Sequence, residues 1–276
     1  MNRSIKKEAL RTGRFLLPLR IYENQGPELV CLNGVQQSMA MWSSFIRRFR
    51  NKYRIVLFDF PNQGRGRILS GPVNASLEEQ IEILHAVLKS AKVGNNLTIC
   101  AASWGGVVGA AFAAKYPDKV KRLILASLGT RPNKKMIETI QRGSNISSEN
   151  RREMAETLIE SFGQNLPGSI KQKIIAQFNN MSSEKLKAFH QHGLFVLGTK
   201  EIGDVVKLRD IRAETILING EKDSIIDLND VKFLATQIPD CQLRIVKNAG
   251  HFLHLERQEI LDLYQEILEK HVKDNT

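Results

Sequence analysis

The sequence has few of the features that mark specialised protein classes. Its 276 residues include only 3 cysteines and 8 prolines, and no run reaches about 18 consecutive apolar residues. Cys31 and Cys100 lie in apolar stretches where a free thiol behaves as a small hydrophobe, so no disulfide framework is expected. Residues 1–20 are basic and lack an apolar core of signal-peptide length. We therefore expect a cytoplasmic protein without stable membrane anchoring.

Motifs for nucleotides and metals are also missing. Residues 59–67 are rich in glycine, which suggests phosphate binding, but neither GxxxxGK[ST] nor GxGxxG occurs in the chain. No spacing of histidines or cysteines is typical of metal ligands. The sequence therefore gives no reason to expect a nucleotide, a metal or another cofactor.

The net charge of +11 is the unusual property of the composition. A solvated basic surface, an acidic or phosphorylated partner, and nucleic acid each remain open as explanations. The basic residues are dispersed apart from a cluster at residues 47–54, which lacks the interleaved aromatic residues of nucleic-acid-binding motifs. We therefore expect no nucleic-acid partner.

Short apolar runs rich in β-branched residues alternate with stretches of helical periodicity. This alternation predicts an α/β fold with a mostly parallel sheet flanked by helices. An antiparallel hairpin is predicted at residues 6–22, although Pro18 weakens that assignment. The predicted buried strands are 29–32, 54–58, 97–101, 122–126, 215–218 and 243–246. The predicted helices are 43–52, 77–91, 107–115, 229–237 and 254–272.

The alternation of strands and helices stops at about residue 131 and resumes at about residue 208. Residues 131–207 retain helical periodicity without convincing buried strands, so we interpret them as a helical insertion, called the lid below. Residues 1–130 and 208–276 are then the two parts of one α/β core. We expect the lid to pack above the carboxyl edge of the sheet, where open α/β sheets bind their ligands.

The segment around Ser103 is the most informative motif. An apolar strand ends at Ser103, and a helix rich in small residues follows, as in the sharp turn that presents a nucleophilic serine. Such a turn needs small residues two positions before and after the serine. Gly105 fits this need, whereas Ala101 departs from the G-x-S-x-G pattern by one methyl group. An ordinary tight turn is the alternative explanation.

An acid and a histidine follow in the chain order that this motif requires, and each follows a predicted strand. Asp223 lies in a turn where its carboxylate can orient an imidazole, or alternatively can form an Asx turn. Asp227 and Asp230 are competitors, but their position favours helix capping. His251 lies on a loop after the last strand, and His254 is its neighbouring competitor. We predict Ser103, Asp223 and His251 as the catalytic residues.

Acyl transfer also needs donors for an oxyanion. The backbone N–H groups of Trp104 and Val35 fit this role, because Trp104 follows the candidate nucleophile and Val35 follows a buried strand. Gly34 permits the turn before Val35. Asn33 either supports this loop by hydrogen bonding or is simply a turn residue.

With these residues assigned, the chain resembles the α/β-hydrolase superfamily over about residues 29–270. More narrowly, it resembles bacterial acyltransferases that make hydroxyalkanoyloxyalkanoate or move 3-hydroxyacyl groups between acyl carrier protein and CoA. The narrower likeness rests on four segments, in which Asn33 replaces a common histidine. They are Leu32-Asn-Gly, Phe58-Asp-Phe-Pro with Gly64, Ala102-Ser-Trp-Gly-Gly106, and Ile218-Asn-Gly-Glu-Lys-Asp223 with Gly250-His-Phe-Leu-His-Leu-Glu256.

The resemblance implies the α/β-hydrolase fold and a serine enzyme that acts through an acyl-enzyme on an ester or thioester. Water as the acceptor would make it an esterase or thioesterase. An alcohol or thiol acceptor would make it an acyltransferase with acyl carrier protein or CoA as a partner. A non-catalytic binding protein with the same fold is a third hypothesis.

Overall fold

The computed structural model describes residues 4–270, which form a nine-stranded sheet flanked by helices. The strands are β1 (Ile5–Thr12), β2 (Phe15–Tyr22), β3 (Glu28–Leu32), β4 (Arg54–Phe58), β5 (Arg67–Ile68), β6 (Leu97–Ala102), β7 (Val120–Ala126), β8 (Glu214–Gly220) and β9 (Cys241–Val246). The helices are α1 (Ser43–Phe49), α2 (Leu77–Ser90), α3 (Trp104–Lys115), α4 (Lys134–Asn145), α5 (Arg151–Phe162), α6 (Gly168–Asn179), α7 (Ser183–Gly198), α8 (Leu228–Gln237) and α9 (Ile260–Glu269). The predicted α/β architecture is confirmed.

The sheet is parallel except at one edge. Its order is β1-β2-β4-β3-β6-β7-β8-β9, with β5 paired to β2. β1 and β2 form the predicted antiparallel hairpin, and β2 also runs antiparallel to β4 through residues 19–22. Pro18 lies just outside that paired stretch, so its missing N–H removes no hydrogen bond from the pairing of β2 with β4.

Both faces of the sheet are covered, because alternate residues of each central strand point to opposite sides. Ile99 of β6 belongs to the larger apolar cluster, which contains buried residues of α2, α3 and α8. Cys100 belongs to the second cluster, which contains buried residues of α1 and α9. A parallel sheet buried on both faces needs such continuous apolar strands, which explains why they were recognisable in the sequence.

The four helices α4 to α7 lie between the neighbouring parallel strands β7 and β8. The two ends of this excursion meet, because the Ile202 N–H donates a 2.7 Å hydrogen bond to the Thr130 carbonyl. The lid has its own small apolar cluster, whose fully buried members are Met154, Ala155, Phe178, Met181 and Leu186. The two ends of the lid therefore lie next to each other.

The last predicted helix begins later than residue 254. Residues Leu253–Leu255 form a 3₁₀ turn, and α9 begins at Ile260. The cause is His254, which is buried, stacks on Trp42 with ring centroids 5.1 Å apart and approaches the Met41 carbonyl. The predicted end of this helix, residues 271 and 272, lies outside the described residues. Within residues 4–270, no helix has both the length and the apolar character needed to span a membrane.

Candidate active site

Ser103 occupies a strained turn between β6 and α3. Its backbone has φ 49° and ψ −120°, a left-handed conformation that is costly for a residue with a side chain. Two hydrogen bonds fix the turn: the Ser103 N–H donates to the Ala126 carbonyl at 2.8 Å, and the Gly106 N–H donates to the Ser103 carbonyl at 2.7 Å. The serine therefore lies at the carboxyl edge of the sheet, where it lines a cavity.

Gly105 is required by the close approach of α3 to β3. A Cβ placed on Gly105 would lie 2.6 Å from the Asn33 carbonyl oxygen and 2.7 Å from that of Leu32. The methyl group of Ala101 is buried without crowding, because even a Cβ on the facing Gly109 would lie 3.5 Å from it, an ordinary van der Waals distance.

Asp223 and His251 form a buried pair. The Nδ1 atom of His251 lies 2.8 Å from Oδ2 of Asp223, and the two side chains are 5% and 0% exposed, respectively. The second carboxylate oxygen of Asp223 accepts a 3.1 Å hydrogen bond from the Ile225 N–H. The Asx turn and the imidazole contact, which were alternatives in the sequence analysis, therefore coexist.

Two residues that the sequence analysis missed hold the His251 loop. The Ser127 hydroxyl donates a 2.5 Å hydrogen bond to the His251 carbonyl. The Glu256 carboxylate accepts hydrogen bonds from the N–H groups of Gly250 and Phe252, at 2.7 and 2.9 Å. The available signals were the position of Ser127 directly after a strand and the acid at the end of the Gly250 to Glu256 motif.

Ser103 and His251 are connected through the end of β7. Ala126 accepts the hydrogen bond from the Ser103 N–H, and the adjacent Ser127 binds the His251 carbonyl. Within the described part of the chain, the Ser103 hydroxyl makes no hydrogen bond to His251. Catalytic hydrogen bonds are often long without substrate and tighten when it binds, so this geometry is compatible with proton transfer between the two side chains.

The competing candidates, His254, Asp227 and Asp230, make contacts that are typical of structural residues. Burial lowers the pKa of His254 to about 4, and its ring is held by Trp42 and Met41. Asp227 takes the N-cap position of α8 but makes no capping hydrogen bond through its side chain. Asp230 instead accepts hydrogen bonds from the N–H and the hydroxyl of Thr130, where the lid begins. Asp227 therefore has the predicted N-cap position without the capping hydrogen bond, and the capping prediction was wrong for Asp230.

The loop after β3 lies against the candidate nucleophile. A Cβ on Gly34 would be 3.3 Å from the Ser103 Cβ. Asn33 is fully buried, donates to the Phe58 carbonyl at 3.2 Å and accepts from the Trp42 indole at 2.9 Å. Asn33 therefore supports the loop. Among the described residues, no acceptor is hydrogen-bonded to the N–H groups of Val35 and Trp104.

A cavity of about 540 Å³ lies beside Ser103 and under the lid. We call it the lid cavity. Its wall is mainly apolar and contains residues from all four lid helices, among them Ile140, Leu158, Ile174 and Val196. A mainly apolar cavity of this size next to a nucleophile suits the hydrocarbon part of a ligand.

The glycine-rich stretch at residues 59–67 folds around a carboxylate. The buried Asp59 accepts hydrogen bonds from the N–H groups of Met39 at 2.7 Å and Arg65 at 2.9 Å. A Cβ on Gly64 would lie 2.3 Å from this carboxylate. Its own acidic side chain thus fills the place where the sequence suggested a phosphate. Burial raises the pKa of Asp59.

The basic cluster at residues 47–54 is largely paired with acids. Arg48 contacts Asp262 at 2.6 Å, and Lys52 contacts Glu269. Arg54 contacts two carboxylates, those of Glu23 and Glu28, at 2.9 and 2.8 Å. These contacts favour a solvated surface as the explanation of this cluster. No group of three or more potential metal-ligating side chains was found among residues 4–270.

A family model described as the alpha/beta hydrolase fold matches residues 27–258. A (R)-3-hydroxydecanoyl-ACP:CoA transacylase from Pseudomonas putida is 22% identical over 89% of this chain and 84% of its own length. The resemblance to bacterial acyltransferases that move 3-hydroxyacyl groups, which was inferred from sequence motifs, is thereby confirmed as a similarity.

Esterases also resemble the chain. A pimeloyl-[acyl-carrier protein] methyl ester esterase from Nitrosospira multiformis is 28% identical over 82% of this chain and 88% of its own length. A thermophilic esterase of known structure from Thermogutta terrifontis has a TM-score of 0.78 and 20% identity, covering 97% of this chain and 98% of that one. At this identity the structural likeness establishes the fold alone.

Proposed function

The chain belongs to the alpha/beta hydrolase fold family, and from that premise we propose that it is a serine enzyme that forms an acyl-enzyme on Ser103. His251 is the proton shuttle in this proposal, and Asp223 orients its ring. Val35 and Trp104 supply the oxyanion donors. The substrate is an acyl ester or thioester, and water is the default acceptor.

The buried contact between Asp223 and His251 carries the proposal. A hydrogen bond from Nδ1 to the carboxylate leaves Nε2 free to accept a proton, and the carboxylate stabilises the imidazolium that then forms. With both side chains almost fully excluded from solvent, this stabilisation is little screened by water.

The first half of the reaction acylates Ser103. Its Oγ attacks the substrate carbonyl while Nε2 of His251 takes the hydroxyl proton. The carbonyl oxygen becomes an oxyanion that accepts hydrogen bonds from the N–H groups of Val35 and Trp104. The bond to the leaving alcohol or thiol then breaks, and His251 returns the proton to that group.

The second half removes the acyl group. His251 takes a proton from the acceptor, whose oxygen or sulfur attacks the acyl-enzyme, and Ser103 regains its hydroxyl proton when the new product leaves. Water as the acceptor gives an esterase or thioesterase. An alcohol or thiol gives an acyltransferase, and the likeness to a transacylase over 89% of the chain supports this second candidate.

The lid cavity favours a substrate with an extended hydrocarbon chain. Two cations, Arg131 and Lys173, also line it and are exposed. They support an anionic carrier of the acyl group, such as CoA or an acidic acyl carrier protein. The named substrates of the two relatives are carrier-linked acyl groups, which is consistent with this choice.

Labelling with a fluorophosphonate separates the enzyme from a non-catalytic binding protein. We expect stoichiometric modification of wild-type protein at Ser103 and none of Ser103→Ala, whose circular dichroism spectrum should match that of the wild type. The absence of labelling in a folded wild-type protein would favour the non-catalytic hypothesis.

Intact-protein mass spectrometry then separates the two enzymatic candidates. The protein is incubated with 3-hydroxyacyl-CoA and, separately, with p-nitrophenyl esters of several chain lengths. A Ser103 adduct from the thioester that is discharged faster by an alcohol, hydroxy acid or thiol than by water establishes a transferase. Adducts that form only from simple esters and are cleared by water alone establish a hydrolase.

A further inference from the structure

A second cavity, of about 440 Å³, adjoins the lid cavity, and Trp104 lines both. Its wall comes from the loop between β4 and β5, from the start of α2 and from α7 of the lid. The two cavities share five wall residues: Val35, Gln36, Trp104, His192 and Phe195. The second cavity therefore adjoins the two residues whose N–H groups we assign to the oxyanion.

The second cavity contains an unpartnered buried acceptor. Gln63 lines it and is 8% exposed, and Oε1 of its side chain has no hydrogen-bond partner among the described residues. Its backbone is fixed, since the Gln63 N–H donates to Phe60 and its carbonyl accepts from Gly66. The neighbouring Gln80 is different, because its side chain already binds Trp104 and the Ala75 carbonyl.

A buried acceptor without a partner destabilises a protein, and a ligand N–H removes that cost. The terminal torsion of a glutamine is broad, so the carboxamide of Gln63 can turn toward a ligand in the cavity with little strain. The ligand that fits this site therefore carries a hydrogen-bond donor, and an amide N–H is one such group.

The roof of the second cavity is attached to the loop that carries Gln63. The Lys185 ammonium on α7 donates a 2.6 Å hydrogen bond to the Gly64 carbonyl. Ala188, one turn further along α7, is buried and lines this cavity but not the lid cavity. Helix α7 of the lid therefore forms part of the wall of both cavities.

A carrier-bound thioester has two arms of different chemistry on either side of its carbonyl. With the carbonyl between Ser103 and the oxyanion donors, and the acyl arm in the lid cavity, the second cavity is the adjacent space for the other arm, because the two cavities share five wall residues. We propose that the second cavity binds the linear, amide-bearing pantetheine arm that CoA and acyl carrier protein share, and that Oε1 of Gln63 accepts one of its amide hydrogens. This inference rests on the proposed acylation of Ser103.

The test compares donors that carry the same acyl group on different leaving groups. These are p-nitrophenol, pantetheine, CoA and acyl carrier protein, and the measured quantity is the rate of Ser103 acylation in a single turnover. Gln63→Met keeps the length of the side chain and removes its acceptor. We expect it to slow acylation by the three pantetheine donors about fivefold to tenfold and to leave the p-nitrophenyl ester unchanged.

Two substitutions that fill one cavity each provide the matched comparison. Ala188→Met enters the second cavity only, so it should slow the pantetheine donors and spare the p-nitrophenyl ester. Gly143→Leu enters the lid cavity, so it should slow all donors that carry a long acyl chain. If Ala188→Met does not fold, Gln63→Met alone still decides the matter.

An equal effect of Gln63→Met on all four donors, or no effect on any, would overturn the inference. A loss confined to CoA would also overturn it, because the contact would then involve the nucleotide end. Acylation of the wild type by the ester but by no thioester would overturn the inference while leaving a hydrolase in place. Failure of every donor to acylate the wild type would instead refute the proposed function.

Discussion

The helices that flank the sheet and the helices of the lid differ in how much of their surface is buried. α3 buries nine of its 12 residues, whereas α6, of the same length, buries only Phe178. The sheet core fixes Ser103, Asp223 and His251 through buried hydrogen bonds. The lid turns much of its apolar surface toward a cavity. In the proposed function, the core would therefore carry the chemistry and the lid would set the fit of the substrate.

Asp223→Asn tests whether the chemistry belongs to the core alone. The amide keeps the shape of the carboxylate but favours the wrong tautomer of His251, so kcat should fall about 10⁴-fold. The affinity for a non-reactive ether analogue of the substrate, measured by calorimetry, should stay unchanged because the lid is intact. A fall of less than about tenfold in kcat would show that Asp223 is not the orienting acid.

The pH dependence of stability should also differ between the two regions. Burial lowers the pKa of His254 to about 4, below the value of about 6.5 expected in the unfolded chain. The unfolded state then binds the proton more tightly, so the contribution is complete above pH 6.5 and is lost as the pH falls toward 4. This shift corresponds to about 3 kcal/mol.

Urea denaturation of His254→Gln at pH 7, 5 and 4 measures this contribution. The free energy of unfolding of the wild type should fall more than that of the variant over this range. His192 of the lid is the counterpart, because burial also lowers its pKa to about 4 but the residue is only half-buried. We expect a smaller difference for His192→Gln. Parallel curves for wild type and His254→Gln would contradict the assignment.

Gly143→Leu tests the role of the lid in substrate fit. A Cβ on Gly143 would meet no atom within 4 Å, and the residue lines the lid cavity, so a leucine there shortens the space for an acyl chain. We expect kcat/KM for the longest acyl esters to fall about tenfold, with short esters unchanged. Gly198→Leu is the control, because its Cβ is equally unobstructed but outside the cavity. An equal loss of kcat/KM for esters of all acyl chain lengths would contradict a role of the lid in substrate fit.

The smallest expected effects concern two unpartnered hydroxyls. Thr157 of the lid and Tyr264 of α9 are buried, and within residues 4–270 neither hydroxyl has a hydrogen-bond partner. Thr157→Val and Tyr264→Phe should each raise the free energy of unfolding by about 1 kcal/mol, because each removes a desolvated polar group. Thermal denaturation measures both. A loss of stability in either variant would indicate a partner for that hydroxyl.

The fold was predictable from the sequence because its signals are local. Strands buried on both faces must be apolar throughout, so β3, β4, β6 and β7 stand out without any tertiary information. The segment around Ser103 is similar, since the strained turn requires Gly105 within two residues of it. The order of Ser103, Asp223 and His251 along the chain then restricted the remaining choices. Their catalytic roles stay a prediction.

The features that the sequence did not predict depend on contacts between residues that are far apart in the chain. Ser127 approaches His251 across more than a hundred residues, and a serine after a strand carries no local sign of this partner. The predicted start of the last helix, at residue 254, was wrong because the stacking of His254 on Trp42 outweighs helical periodicity. The two cavities were also beyond reach, because the face that each lid helix presents is set by its packing against the others.

The hydrogen bond between Ile202 and Thr130 closes the lid into a loop with a common entry and exit. The pairing of β7 with β8 is made by residues 122–126 and 214–218, and the lid helices lie outside both stretches. We therefore expect changes in the length of the helical segment to leave the register of the sheet unchanged. In the proposed function, such changes would alter the substrate range while leaving the residues assigned to the reaction in place.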